Sequence, residues 1–89
     1  MAEHSDEYII GRLIERSRLL IAISEEIPVE TKLQTQPLLK QLEHELGVPP
    51  EEQDAERIRG TYAMLYGELA DYADLEALLS ALKTFVSCL

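Results

Sequence analysis

The chain has 89 residues, 46% of them hydrophobic, with eight Lys plus Arg against 17 Asp plus Glu and a formal net charge of −9. At this size, folding buries about two-thirds of the extended chain's surface, enough for one modest core. Such a chain is too apolar for intrinsic disorder, and its field is too negative to attract nucleic acid or an anionic membrane.

Helix signals dominate from the start. Ser5 reads as an N-cap, with Asp6 and Glu7 in the first turn, where the helix dipole favours acids. Ile10, Leu13, Ile14, Ser17, Leu20, Ile21 and Ser24 then recur at spacings of three and four. They predict a helix over 6–26, stopped by Pro28, because the residue before a proline is pushed out of the α region. Ser17 and Ser24 are small enough to admit a close neighbour. Residues 27–36 read as a connector or one short turn.

A second helix is expected over 37–46, with Pro37 in its first turn and Leu38, Leu39, Leu42 and Leu46 on one face. Gly47 fits a C′ position, and Pro49-Pro50 enforce the stop. Glu51, Glu52 and Asp54 then suit the start of a third helix, striped by Ala55, Ile58, Tyr62, Leu65 and Leu69. From Glu51 to Leu89 there is no proline, and Ile58, Leu65, Tyr72, Leu79 and Val86 keep a seven-residue spacing. One straight helix of that length would run about 57 Å, too long for a compact domain of this size. Gly67, Asp71 and Asp74 are candidate break points, and a break near 70–74 is favoured, giving helices 51–70 and 74–87. The expectation is an all-α single domain over 1–89. It is a small bundle of three to four helices in which 51–89 is a long bent helix or a helical hairpin.

The cysteine content is one residue, Cys88, which forms no internal disulfide and fits a reducing compartment. Met1 to Glu7 is acidic where an export signal is basic, and the longest apolar run, Leu19 to Ile23, is far short of the roughly 20 residues of a membrane span. A cytoplasmic location without membrane insertion is the expectation.

Catalytic signals are weak. His4 and His44 are the two histidines, and His44 has no His or acid three or four residues away, so metal binding and general-base roles are not expected. The cluster Glu51, Glu52, Asp54 and Glu56 lacks the central glycine of a calcium loop and suits a helix start instead. No phosphate-binding glycine loop or nucleophile elbow is present. The chain has the size and acidity of an acyl carrier protein, but Ala73-Asp74-Leu75-Glu76 lacks the serine that would carry the prosthetic arm. Tyr62 to Leu82 has the texture of a tetratricopeptide hairpin, yet Leu75 stands where that pattern needs a small residue, and one copy is too few. The expectation is a protein that is not an enzyme and needs no cofactor or metal.

Two surface features remain. The last segment is apolar on more than one face: Leu75, Leu79, Leu82 and Val86 form one stripe, with Leu78, Phe85 and Leu89 beside it. A helix covered by another chain shows that pattern, as does a central core helix. The first of these predicts a partner-binding surface of Tyr62, Tyr66, Tyr72, Leu75, Leu78, Leu79, Leu82, Phe85 and Val86, on which an amphipathic helix of a client protein would dock. An adaptor, a dedicated chaperone or an inhibitor fits that description, and the heptad also admits a homodimer. Charge offers an alternative. Helix one carries Arg12, Arg16 and Arg18, while Glu51, Glu52, Asp54, Glu56, Glu68, Asp71, Asp74 and Glu76 gather later in the chain. Those acids would suit a decoy that occupies the basic nucleic-acid site of a regulator or defence protein. Neither reading involves direct contact with nucleic acid.

Overall fold

The structure, a computed structural model, describes residues 2–87, with side chains described over 7–49 and 51–87. Four helices run in chain order: α1 (Ala2–Ile23), α2 (Val29–Gly47), α3 (Ala55–Leu69) and α4 (Ala73–Ser87), with a 3₁₀ turn at Pro50–Glu52. They close into a ring in which α1 packs on α2 and α4, and α3 packs on α2 and α4. The core is one cluster drawn from all four helices, including Ile14 and Ile21, Leu39 and Leu42, Ile58 and Leu65, and Leu79 and Leu82.

α1 begins at Ala2, ahead of the expected cap at Ser5. The side chains of His4, Ser5, Asp6, Cys88 and Leu89 lie outside the described residues. α1 also ends earlier than expected, at Ile23, and the cause is Ser24 rather than Pro28. Ser24 Oγ accepts from the backbone N–H groups of Glu26 and Ile27 at 3.2 and 3.3 Å. A serine that serves the following backbone offers the chain a turn in place of another helical bond. The turn then buries Ile27 in the core. Ser17, fully buried on α1, bonds its own Leu13 carbonyl at 2.8 Å, so its small volume carries no unsatisfied hydroxyl.

α2 departs furthest from expectation. It starts at Val29, so residues 29–36 form its first two turns and Pro37 lies inside it. Pro28 has φ −59°, already close to the helical value, and its carbonyl accepts from Lys32 N at 3.0 Å. Pro37 removes the bond that would reach the Leu33 carbonyl. Both residues are exposed, so water can serve that oxygen. Thr35, on the opposite face, is fully buried and returns its hydroxyl to Thr31 O at 2.8 Å.

The end of α2 is held by a side chain distant in sequence from any cap motif. Gly47 is the last helical residue and has no positive φ, so no left-handed cap forms there. Gln53 Nε2 instead donates to Leu46 O at 3.3 Å and Val48 O at 3.1 Å. α3 starts after Asp54 rather than at Glu51, with Asp54 Oδ1 accepting from Arg57 N at 3.2 Å. The residues between α3 and α4 are 70–72, and the hairpin form of 51–89 is the one observed. Ala70 N reaches Tyr66 O and Tyr72 N reaches Leu69 O, which closes α3 before Glu76 N bonds Tyr72 O to open α4.

Candidate functional site

The expected partner-binding surface is largely the inside of the bundle. Leu75, Leu79, Leu82 and Val86 are buried, and so is Tyr62, whose hydroxyl donates to the Leu79 carbonyl and ties α3 to α4. Burial raises the Tyr62 pKa, helped by the nearby Tyr66 and Glu76. The other four residues are half-buried. Tyr66 and Tyr72 pack against the core, and Leu78 and Phe85 lie beside the inward stripe of α4. The second apolar stripe of α4 is thus partly covered by the chain itself. This corrects the expectation of an open surface: a ring of four helices encloses the inner stripe of α4 and shields its flanks as well.

Glu76 forms a small polar junction on the flank of α4. Its Oε2 accepts from Ser80 Oγ at 2.7 Å and from the Tyr66 hydroxyl at 3.0 Å. The Ser80 and Tyr66 bonds hold the Glu76 carboxyl below its ordinary pKa, and bonding to Glu76 raises that of Tyr66. Both donors serve one carboxylate oxygen within the α3–α4 hairpin. The junction fastens α3 to α4.

The acids of the alternative reading are not brought together. Glu51, Glu52, Asp54 and Glu56 lie at the start of α3, whereas Glu68, Asp71, Asp74 and Glu76 lie at its other end. From Glu56 to Glu68 the helix advances about 18 Å, beyond the roughly 10 Å over which salt at 0.1 M screens exposed charges. Two of the eight also have local duties, Asp54 as the α3 cap and Glu76 in its junction.

Exposed apolar side chains stand on three helices: Val29 and Leu33 on α2, Met64 on α3, and the most numerous set on α1. Tyr8, Leu19 and Ile23 are 67%, 59% and 65% exposed, with Ile9 also exposed beside them. At 100° per residue, Tyr8, Arg12, Leu19 and Ile23 fall within about 60° of one another, roughly opposite the inward stripe of Ile14, Ser17 and Ile21. With Arg16, Glu15 and Gln36 they border a shallow open groove along the helix. One edge of this face is pinned to α2. Arg18 Nε donates to Gln36 Oε1 at 3.2 Å, Gln36 Nε2 returns to Arg18 O at 3.0 Å, and Lys32 Nζ reaches Ala22 O at 3.1 Å. Arg12 stands 5.9 Å above the Tyr8 ring, within cation–π range.

The sequence held a signal for this face. α1 has large apolar residues outside its inward stripe, the same feature that drew notice to α4. Among the described residues, no group of three or more His, Cys, Asp or Glu converges as metal ligands, and no helix is long and apolar enough to cross a membrane. Comparison with protein-family models, with curated proteins and with solved structures returned no match, so the functional reading rests on this chain's own residues.

Proposed function

We propose that this chain is a non-catalytic protein-binding module, a small cytosolic adaptor, dedicated chaperone or inhibitor, that receives an amphipathic helix of a partner protein. The receiving surface in this reading is the outer face of α1, in place of the inward stripe of α4. One observation carries it: three large apolar side chains, Tyr8, Leu19 and Ile23, stay more than half exposed along one line of a helix whose opposite side fills the core. Large apolar side chains left exposed along one side of a helix are candidates for an interaction site, and a helix laid along such a line is a recurring mode of recognition.

The test compares capture by three proteins from the native lysate: the wild type, a Leu19→Asp/Ile23→Asp variant and a Leu78→Asp variant. Loss of a stoichiometric partner in the α1 variant, with its circular dichroism unchanged, is the expected result. Retention by the α1 variant and loss by a folded Leu78→Asp variant would return the surface to α4. A partner that leaves at high salt from all three would favour the acidic surface instead.

A further inference from the structure

The charges around the α1 face go further than its apolar line. Two of the chain's eight basic residues, Arg12 and Arg16, lie along this face beside one acid, Glu15, and a third, Arg18, stands at its α2 edge. Arg12 and Arg16 are one helical turn apart. Like charges at that spacing weaken a helix, and an acid at either position would relieve it. With 17 acids available, the chain leaves both arginines without a carboxylate partner among the described residues, where the ion pair is Arg57 with Glu45.

We infer that the segment received by α1 is an acidic amphipathic helix of a partner protein, about four turns long, whose apolar stripe lies on Tyr8, Leu19 and Ile23 and whose carboxylates meet Arg12 and Arg16. This rests on the docking reading above and adds the partner's chemistry. The length follows from the 15 steps from Tyr8 to Ile23, which advance about 22 Å along the helix. The charge follows from the arginines. A second copy of this chain fits poorly. Antiparallel pairing of two α1 helices that sets Tyr8 against Ile23 places Glu15 beside Glu15 and Arg16 beside Arg16, because each side of the seam meets itself. Parallel pairing places Arg12 on Arg12 at the seam. An anionic bilayer or a nucleic acid meets the chain's net charge of −9 over the rest of its surface.

The experiment uses the full chain and two designed helical peptides of 16 residues with the same leucine stripe, one flanked by Glu and the other by Lys, read by fluorescence anisotropy. The Glu-flanked peptide is expected to bind about tenfold tighter at low salt, with the preference shrinking at high salt. Arg16→Glu should remove most of that preference without lowering the melting temperature, and Arg16→Lys should keep it. A merely structural role for Arg16 would not separate those variants. Equal affinity for the two peptides, abolished by Leu19→Asp, would keep the docking face and overturn the acidic partner. Binding of neither peptide at millimolar concentration would overturn both. A wild-type dimer in sedimentation that Leu19→Asp dissociates would assign the face to a second copy and overturn the proposal. Binding to phosphatidylserine vesicles that is lost in Arg16→Glu would assign it to a membrane, with the same consequence.

Discussion

Helix α4 buries Leu75, Leu79, Leu82 and Val86 and keeps Leu78 and Phe85 half-covered, whereas α1 buries Ile14 and Ile21 and leaves Tyr8, Leu19 and Ile23 open to solvent. Both helices have more apolar residues than one inward stripe needs. The difference is angular. On α4, Leu78 and Phe85 stand about 70–90° from the centre of the inward stripe, and both are half-buried. On α1 the extra residues stand about 180° away, where no helix of a four-membered ring can reach. Apolar content therefore locates a free surface only when read together with the angle between the two stripes.

The comparison is broken most directly by truncating one leucine on each helix. Leu79→Ala should cost about 2–5 kcal/mol of unfolding free energy, since the side chain is fully buried and its loss leaves a cavity. Leu19→Ala should stay within about 0.5 kcal/mol. Urea denaturation of the two variants measures both, and equal losses would mean that the α1 face is covered in solution.

A smaller effect sharpens what holds α4 inward. Tyr62→Phe removes the hydroxyl bond to the Leu79 carbonyl and should cost about 0.5–1.5 kcal/mol. Tyr66→Phe should cost less, because Glu76 keeps its bond from Ser80. The reverse order in denaturation midpoints would place the α3–α4 tie at the surface junction.

The smallest effect depends on pH. Hydrogen bonds from Ser80 and Tyr66 hold the folded-state pKa of Glu76 below the ordinary glutamate value of about 4.5. The ionised carboxylate thus contributes stability above about pH 4.5, and that contribution is lost as the pH falls through the lower folded value. The melting temperature of wild type should exceed that of Glu76→Gln at neutral pH, with the gap closing in acid. A gap that widens on acidification would contradict the junction.

Much of the fold was readable in order. The stripes Ile14–Ser17–Ile21, Leu39–Leu42–Leu46, Ile58–Tyr62–Leu65–Leu69 and Leu75–Leu79–Leu82–Val86 are the buried faces, and the residues near 70–74 do break the last segment into two helices. Pro37 misled, because a proline inside a helix is tolerated where solvent can satisfy the freed carbonyl, and exposure is not visible in sequence. Gly47 misled for a related reason: glycine permits a left-handed cap without requiring one, and Gln53 does that work from six residues further on. For the candidate site, the reading of the sequence picked out the surplus apolar residues of α4 and missed those of α1, because spacing alone does not say which set the ring covers.

What the sequence by itself determined was the set of helices and their inward faces. Those depend on spacings of three and four within one segment and on local bonds such as Asp54 to Arg57 N. Tertiary structure alone decided which outward residues stay exposed. That choice belongs to the order of helices around the ring: neighbours shield the flanks of each helix, and the side opposite the core remains with solvent. On α1 that side holds Tyr8, Leu19 and Ile23 beside two arginines without an acidic partner among the described residues.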